Sequence, residues 1–462
     1  MLFGSHLPGP KPDGMTHLKR ELGLRDLTLF AIACIVGPRW IAVAASAGPG
    51  SVILWIGAAV LFAAPLGVAV AALIHKYPDA GGLYAWTRHD FGPWHGFLCF
   101  WLYWFSIALT LPNSAMFAMS MSAYAFGPKY AYLADNQTYV VVATFVSIWI
   151  ALGTNIVGMR IGKWTENLGG ITAWMLGFLL VGVGAMVWIR RGTATPMSTP
   201  MNFAPAWSWE TLGFFGTIAF ALSGMEAIGL MAAEIRQPRR TVVPAAWIGT
   251  VFTTVFYAAS TLALLVLIRP GSISELHGLA DGSDIAAGLL GLRWLTPLIA
   301  IIVLVNSIGG WGGLGSAVSR MPYAAGVDHL LPPAFARLHP RWATPYLSIL
   351  VFGGVASALL LAVQLGDSLR AAYQALLSLM VLSGFIPYLY LFASAWKAGR
   401  HLASVSGIAM TVLTIVSSAV PTGEVGSIWL FEGKLLAGTA LMIGTAWLVY
   451  HMGLRRRRHV TA

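Results

Sequence analysis

The sequence predicts an all-α polytopic membrane protein with twelve transmembrane helices. Of its 462 residues, 57% are hydrophobic and only 10% are charged, whereas soluble domains carry about 25% charged residues. The mean hydropathy is +0.74, and the apolar residues gather into segments long enough to cross a bilayer as helices. A soluble core would not use so many long apolar segments, so the composition excludes a soluble globular protein.

The twelve apolar segments follow one another along nearly the whole chain. They lie near residues 27–47, 52–74, 94–124, 138–157, 165–189, 211–232, 243–268, 293–318, 345–364, 370–394, 403–421 and 429–452. A membrane-spanning helix needs about 20 predominantly apolar residues, which these segments supply. Because the number of spans is even, both ends of the chain are expected on the same side of the membrane.

Lysine and arginine residues set the expected orientation of these spans. With a cytoplasmic N-terminus, 20 of the 28 lysines and arginines fall on the cytoplasmic side, 7 fall outside, and only Arg39 remains, in the middle of the first span. An excess of positive charge in cytoplasmic connections is typical of membrane proteins. The sequence therefore predicts a multi-pass protein of the inner (cytoplasmic) membrane with both termini in the cytoplasm.

The two tails are expected to be polar cytoplasmic segments. Residues 1–25 form the N-terminal tail, and its first 14 residues are typical of either a disordered segment or a remnant of expression, with Met15 as an alternative start. Residues 453–462 form the C-terminal tail. Its four consecutive arginines favour a membrane anchor over a nucleic-acid site, so we expect no nucleic-acid partner.

The first span contains an unusual break, in the stretch "CIVGPRWIAV" at residues 34–43. Pro38 has no N–H and its ring clashes with a helix carbonyl, so we expect an interruption at Gly37 and Pro38. Arg39 follows directly, at a depth where a charged side chain costs about 2.5–3.5 kcal/mol. This cost indicates that Arg39 faces a partner or water.

The sixth span contains a second break, because Ser223 and Gly224 come shortly before Glu226. Discontinuous helices often mark the binding sites of transporters. Kinks of this kind also occur in membrane helices that bind nothing. Two breaks, each beside an ionisable residue and five spans apart, favour a substrate site.

The matching breaks also predict the domain organisation. Spans one and six are equivalent if the first ten spans form two five-helix repeats of inverted topology. We therefore expect a ten-helix core over residues 26–394, with repeats at about 26–190 and 210–394. Residues 395–452 then hold helices eleven and twelve.

The two breaks together suit a small zwitterion. The outer half of span one begins near Trp40, and its positive dipole end at the midplane favours an anion. The first half of span six ends near Leu222 and presents freed carbonyls, which favour a cation. An amino acid with its carboxylate toward span one and its ammonium toward span six is the simplest such molecule.

Three segments resemble motifs of the amino acid–polyamine–organocation (APC) superfamily. They are "YPDAGGLYAWTRHDFGP" at 77–93, "FALSGMEAIGLMAAEIRQPRRTVVPAA" at 220–246, and the stretch 307–345 that begins "SIGGWGGLGSAVSRMPYAAG". The resemblance runs through most of residues 22–452, and the Gly-Gly-Trp of span eight is similar to the arginine/agmatine antiporter branch. The overall sequence pattern is also similar to that of the glutamate/GABA antiporters. The superfamily implies a LeuT-like fold of ten core helices plus two, with alternating access by a rocking bundle.

The resemblance implies roles for five residues. Phe220 matches the aromatic gate of span six, and Trp311 matches a tryptophan that lines the antiporter cavity. Ser223 and Gly224 match the unwound segment whose carbonyls hold the amino group, and Glu226 matches a buried glutamate of the antiporter branch. Phe220 and Trp311 also suit ordinary packing, and Glu226 also suits a protonated structural role.

The first span departs from the superfamily pattern. Where relatives have Gly-Ser-Gly, whose N–H groups receive the substrate carboxylate, this chain has Gly37-Pro38-Arg39. Sodium-independent relatives often place a lysine in span five, and "NLGGITAWML" at 167–176 has none. We therefore expect Arg39 either to pin the unwound part of span one or to receive the carboxylate directly. A purely structural arginine bonded to helix-end carbonyls is the alternative.

Span three supplies a further candidate. Tyr103, Ser106, Thr110 and Asn113 share one helix face, which is typical both of a cavity wall and of hydrogen-bonded helix packing. The expected substrate-binding residues are Val36, Gly37, Pro38, Arg39, Ser106, Phe220, Ala221, Ser223, Gly224 and Trp311, and the expected coupling residues are Glu226 and Arg39.

The sequence predicts a secondary active transporter, a permease or antiporter, for amino acids. The alternatives are a polyamine or organic-acid transporter of the same fold, and a membrane sensor that moves no substrate. Arg39 argues against a purely cationic ligand because like charges repel strongly at low dielectric. The sequence leaves open which amino acid is accepted, whether exchange or proton symport operates, and whether the protein is a homodimer.

Catalytic and cofactor signatures are absent from the sequence. It contains no Walker loop, no metal-ligand cluster and no catalytic triad, and Cys34 and Cys99 both lie in apolar runs. We therefore expect neither an enzyme nor a metal or cofactor site. The expected partners are a small-molecule amino acid, a coupling proton and the lipid bilayer.

Overall fold

The chain folds into α-helices joined by short connections. A computed structural model describes residues 23–77, 82–157, 159–206, 208–327, 330–342, 344–365, 368–420 and 426–461. The helices in these ranges are α1 (Leu24–Ile35), α2 (Arg39–Ser46), α3 (Ser51–Ala58), α4 (Ala64–Lys76), α5 (Gly82–Phe91), α6 (Pro93–Ser122), α7 (Gln137–Val157), α8 (Met159–Arg191), α9 (Trp209–Ala221), α10 (Pro238–Leu267), α11 (Gly278–Leu290), α12 (Leu295–Val327), α13 (Tyr346–Gln364), α14 (Leu369–Lys397), α15 (His401–Ser417) and α16 (Ile428–Thr461). The predicted all-α class is confirmed. The predicted N-terminal tail lies almost entirely outside the described residues.

The helices are long and apolar enough for a multi-pass membrane protein. Within the described ranges, nine helical segments have the length and composition of a membrane span. Leu295–Trp311 and His401–Ser417 are shorter apolar stretches, and the first span is divided between α1 and α2. The exact number of twelve spans stays a prediction.

The order of the elements repeats after α8. The first set begins with a divided span and continues through α3 and α4 to the short helix α5 and then three long helices. The second set begins with α9, which ends early, and continues through α10 to the short helix α11 and again three long helices. This order is what the predicted pair of five-span repeats of inverted topology requires.

Helix α10 holds the divided span in place. It packs against α1, α2 and α3, so that it lies directly beside the break. Helix α14 packs on α6, and α9 packs on α2 and α14. These contacts bring spans one, three, six, seven and ten together around the two breaks.

A π-helical turn interrupts the second span between α3 and α4. It covers Ala59–Ala63, and π turns widen a helix so that carbonyl groups lose their regular partners. The Ser406 hydroxyl of α15 donates to the carbonyl of Leu61 at 2.7 Å. Helix α15 therefore satisfies a backbone group that the π turn exposes.

Candidate functional site

The break in the first span is closed by a tyrosine of α10. Helix α1 ends at Ile35 and α2 starts at Arg39. The Gly37 N–H donates to the hydroxyl oxygen of Tyr257 at 2.8 Å, and the same hydroxyl donates to the carbonyl oxygen of Ile35 at 2.8 Å. Tyr257 is fully buried, and its ring stacks on Trp55 with centroids 4.4 Å apart. One side chain therefore replaces the backbone hydrogen bonds that the break removes.

Arg39 is a buried cation without an acidic partner among the described residues. Its side chain is 9% exposed, and its guanidinium lies 4.3 Å from the ring centroid of Trp40. Its polar contact is weak, since Nη2 lies 4.0 Å from the Sδ atom of Met380, and Nε has no hydrogen-bond partner. No carboxylate of the described chain lies within 4.0 Å of it.

This arrangement leaves a positive charge uncompensated. Arginine stays protonated at accessible pH, and burying an unpaired charge is costly. The positive dipole end of α2, which begins at Arg39 itself, adds to the same field. The two residues before Arg39 offer no free backbone donor, because the Gly37 N–H already donates to Tyr257 and Pro38 has no N–H. The geometry suits an anionic group held by the Arg39 side chain.

The sixth span breaks where the sequence predicts. Helix α9 ends at Ala221, and a 3₁₀ segment, Met225–Glu234, follows. Gly224 has a φ of +118°, a conformation that favours glycine. The Ser223 hydroxyl donates to the carbonyl of Phe220 at 2.6 Å, and it also lies beside the Tyr388 hydroxyl of α14.

Glu226 lies at this second break and accepts several hydrogen bonds. Its side chain is 4% exposed. The Gly224 N–H donates to Oε2 at 2.9 Å, and the Tyr103 hydroxyl donates to Oε1 at 2.9 Å. The hydroxyl of Tyr388 on α14 also faces the carboxyl group. These contacts fix the position of the carboxyl group at the second break.

Phe220 packs with two other aromatic side chains between the two breaks. Its ring centroid lies 5.8 Å from that of Trp40 and 5.8 Å from that of Phe385. A Cβ atom placed on Gly384 would lie 2.8 Å from the Phe220 ring and 2.7 Å from the Ser106 hydroxyl oxygen. The absence of a side chain at Gly384 therefore lets Phe220 and Ser106 approach α14.

The remaining predicted residues take up different positions. Ser106 donates to the carbonyl of Met380 at 3.0 Å, which places it in the same layer as Arg39. Val36 continues the last turn of α1 through its amide, and Ala221 is the buried last residue of α9. Trp311 is buried on α12, and its Nε1–H donates to the Ser114 hydroxyl of α6 at 3.1 Å. Trp311 thus joins α12 to α6 through this hydrogen bond.

Several contributors to this site are missing from the sequence prediction, among them Tyr388 beside Glu226. Tyr257, Met380 and Gly384 lie on α10 and α14, and each contacts a predicted residue. The available signal is a tyrosine within the apolar run of span seven, because a buried hydroxyl in a membrane helix needs a partner. Nothing in the sequence says that this partner is span one.

A family comparison matches nearly the whole chain. The model of the family described as "Amino acid permease" matches residues 22–425. This range includes both breaks and every residue of the candidate site.

The curated relatives are transporters and permeases. An uncharacterised transporter of Legionella pneumophila is 24% identical over 455 residues, covering 94% of this chain and 97% of that protein. The glutamate/serine transporter AimA of Bacillus subtilis is 24% identical, covering 72% of this chain and 64% of its own length. The branched-chain amino acid permease BcaP of the same organism is 24% identical over 75% of each chain.

A solved structure shares the fold. The crystal structure of MhsT in complex with L-phenylalanine superposes with a TM-score of 0.59 at 15% identity, covering 87% of this chain and 99% of that chain. At this identity the likeness shows the fold alone, which is the LeuT-like arrangement that the sequence predicts.

Proposed function

Because the chain belongs to the amino acid permease family, we propose that this multi-pass membrane protein is a secondary transporter that moves amino acids by alternating access. The family match and the two Bacillus subtilis relatives support this substrate class. The two breaks, which meet in one layer between α6, α10 and α14, support a binding site at that level.

The observation that carries the proposal is the buried Arg39. The α-carboxylate of an amino acid supplies the anion that this guanidinium lacks among the described residues. A guanidinium binds a carboxylate through two parallel N–H···O bonds, which fixes orientation as well as charge. Arg39 therefore takes over the role that backbone N–H groups would play in an unobstructed break.

The ammonium group of the substrate is placed toward the sixth span. Helix α9 ends at Ala221, and its negative dipole end favours a cation. Glu226 adds a carboxylate at the same break. The buried guanidinium of Arg39 and the buried carboxyl group of Glu226 give the site one partner for each end of a zwitterion. Phe220 lies between them and covers the bound substrate.

Glu226 is the proposed coupling residue. Arg39 stays charged at accessible pH and so cannot carry a proton. Glu226 contacts Tyr103 on α6 and the Gly224 N–H in the unwound part of span six. Protonation of Glu226 would remove an acceptor from at least one of these donors, so it would alter the contact between two spans that move during alternating access.

An organic acid of the same size is the second candidate substrate. Arg39 favours any carboxylate, whether or not an amino group accompanies it. A polyamine is disfavoured because Arg39 would repel a cation in this low-dielectric layer. A requirement for the ammonium group therefore distinguishes amino acids from organic acids, the two substrate classes that remain.

Counterflow in proteoliposomes tests the proposal. Vesicles are loaded with one unlabelled amino acid at a time and supplied outside with its labelled form. We expect rapid exchange for a small set of amino acids, and no exchange of the deaminated organic acids. Exchange of organic acids alone would establish the second candidate instead, and no exchange in either panel would contradict the proposal.

Substitution of Arg39 tests the proposed contact. We expect Arg39→Gln to weaken substrate binding by roughly 10- to 150-fold, because a hydrogen bond to a charged group contributes about 1.5–3 kcal/mol. Arg39→Lys keeps the charge but loses the planar fork, so an intermediate loss is expected. Arg190→Gln, which removes an exposed arginine at the end of α8, is the matched control. Unchanged exchange by Arg39→Gln would contradict the contact.

A further inference from the structure

The hydroxyl of Tyr257 bonds to two backbone groups that the break in span one leaves without helical partners. It accepts from the Gly37 N–H and donates to the Ile35 carbonyl, each at 2.8 Å. A hydroxyl has one proton, and this proton is given to Ile35. Neither the Gly37 N–H nor the Ile35 carbonyl is therefore left unpaired at the site.

Tyr257 is itself held rigidly. Its ring is fully buried and stacks on Trp55 with an interplanar angle of 8°. The Nε1–H of Trp55 donates to the hydroxyl of Thr261, one turn further along α10. The hydroxyl is thus fixed relative to α10, and it fixes the end of α1 relative to the start of α2.

Arg39 follows Gly37 by two residues and begins α2. Since Pro38 has no N–H, the hydrogen bond from Gly37 is the last one before the helix resumes. The direction in which α2 leaves the break, and with it the position of the Arg39 guanidinium, depends on this bond.

We propose that Tyr257 is a positioning residue that locks the break in span one, so that the substrate carboxylate binds Arg39 and not the Gly37 N–H. This inference rests on the proposed function, since it concerns how that site selects a carboxylate. It assigns a role to span seven, which contributes no other residue to the site as described above.

The test compares Tyr257→Phe with the wild-type protein. Phenylalanine keeps the ring and its stack on Trp55 but removes both hydrogen bonds. Tyr390→Phe is the matched control, because it removes a hydroxyl that bonds to His95 at 3.0 Å, away from both breaks. Labelled L-serine and L-leucine are the probes, each competed with its own carboxamide, which lacks the carboxylate charge.

For Tyr257→Phe we expect the KM to rise about tenfold, the scale set by losing one hydrogen bond, with a smaller change in maximal rate. The preference for the free amino acid over its carboxamide should fall by a similar factor, because Arg39 is no longer held in place. In the Arg39→Gln background, adding Tyr257→Phe should cause little further loss of preference, since the two residues act through one contact. Tyr390→Phe should leave the KM and the preference unchanged.

A purely structural tyrosine gives a different result. If Tyr257→Phe lowers the amount of folded protein or the maximal rate but keeps the KM and the carboxylate preference, the positioning role is overturned. Hydrogen–deuterium exchange of peptides covering residues 35–41 gives a readout that does not depend on transport. We expect faster exchange there in Tyr257→Phe than in Tyr390→Phe, and equal exchange would overturn the lock even in a protein that transports normally.

Failure of the proposed function gives a separate pattern. A wild-type protein that exchanges no amino acid contradicts the transport proposal, while the exchange of amide hydrogens at residues 35–41 still decides whether Tyr257 holds the break. A wild-type protein that transports normally, with Tyr257→Phe indistinguishable from Tyr390→Phe in every readout, overturns only the inference about Tyr257.

Discussion

The two charged residues at the breaks differ in how their charges are met. Glu226 accepts hydrogen bonds from Tyr103 and the Gly224 N–H, so its carboxyl group has polar partners within the protein. Arg39 has the ring of Trp40 and the Sδ atom of Met380 beside it, and the hydroxyls of Tyr257 and Tyr373 lie near its charge, but no described carboxylate pairs with it. The same layer thus contains a carboxyl group that has hydrogen-bond donors and a guanidinium that has no acidic partner among the described residues. Such a site gains most from a ligand whose negative group is strong and whose positive group is secondary.

The sequence anticipates the individual residues of the site better than their contacts. Arg39 and Glu226 are recognisable because a charge within an apolar span is expensive and therefore informative. The bond between Gly37 and Tyr257 is not recognisable, since 220 residues separate the partners and any buried hydroxyl would serve. Gly384 is equally hidden, because its role depends on how closely Phe220 approaches α14.

Gly384 provides a test of this close approach. Gly384→Ala places a methyl group about where the Phe220 ring and the Ser106 hydroxyl now lie. Because overpacking of this kind costs about 1–3 kcal/mol, we expect exchange to fall about tenfold as Phe220 is displaced from the site. Exchange and thermal unfolding are measured together, so that loss of function is separated from loss of fold.

Gly444→Ala is the control for this substitution. Gly444 lies on α16, and a Cβ atom there would meet nothing within 4 Å. The added methyl group is therefore expected to leave both exchange and the unfolding temperature unchanged. Normal exchange by Gly384→Ala would show that Phe220 does not depend on contact with α14.

Among the elements, long apolar spans were predicted well and short surface helices were missed. The third span was expected near 94–124 and is helical over Pro93–Ser122. Helices α5 and α11 lie in connections between spans, where hydropathy gives no signal. Helix α16 runs to Thr461 although the apolar run ends near residue 452. Hydropathy detects the part of a helix within the bilayer, whereas arginine and leucine continue a helix beyond it.

The unwound element of span six carries the second prediction. In Glu226→Gln the amide nitrogen cannot accept a hydrogen bond, so either Tyr103 or the Gly224 N–H loses its acceptor. We expect exchange to continue at a rate reduced by about tenfold, while its dependence on an imposed pH gradient disappears. Uptake with and without the gradient is compared with counterflow in the same vesicles.

Glu210→Gln is the matched control, since Glu210 is exposed in the first turn of α9. It should leave both the rate and the pH dependence unchanged. A Glu226→Gln protein that still responds fully to the gradient would exclude Glu226 as the coupling residue.

The connection before α11 carries a pH-dependent cluster. His277 Nδ1 lies 2.8 Å from the carboxylate of Asp281, and its Nε2 lies 3.2 Å from the carboxylate of Asp135. The second contact lacks hydrogen-bond alignment, so it acts through charge. Tyr124 also donates to Asp281, and Arg370 of α14 lies 3.2 Å from Asp135. These groups join the ends of three different spans.

Folding favours the charged forms of His277 and Asp135. Burial lowers the pKa of His277, but Asp281 and Asp135 raise it by more, so the pKa lies above its ordinary value. Burial raises the pKa of Asp135, but His277 and Arg370 lower it by more, so that pKa lies below its ordinary value. The histidine contribution is complete below about pH 6.5 and is lost as the pH rises through the folded pKa. The aspartate contribution is complete above about pH 3.9 and is lost as the pH falls through the folded pKa.

The third prediction follows from the pH range in which His277 and Asp135 both contribute to stability. His277→Gln should lower the unfolding temperature most between about pH 4 and pH 6.5, and the difference from the wild type should shrink at higher pH, where neutral histidine no longer gains from the carboxylates. Unfolding is followed in detergent across this range. His401→Gln, at an exposed histidine at the start of α15, is the control. A difference that stays constant with pH would assign His277 a packing role only.

At the scale of the whole molecule, the repeat was predictable because it requires only the order of the spans and the positions of the breaks. Two breaks five spans apart are visible in the sequence, and the LeuT-like fold found by structural comparison confirms the arrangement that they predict. The contacts of α10 with α1 and α2 were not predictable, because hydropathy does not say which spans are neighbours. Periodicity and breaks therefore indicate the topology, while the packing that builds the site comes from the structure.

The orientation in the membrane is the last prediction. The connections predicted to lie outside include Asp135, His277 and Arg370, and the structure brings these three residues together on one surface. In a background without Cys34 and Cys99, we expect Tyr132→Cys, at an exposed site beside this cluster, to react with a membrane-impermeant maleimide in intact cells. Arg400→Cys, exposed before α15, should react only after permeabilisation. The reverse pattern would contradict the charge asymmetry and place α2, with Arg39, in the cytoplasmic half of the first span. Labelling as expected places Arg39 at the start of the outer half, so that a carboxylate arriving from outside meets this cation before it reaches Glu226.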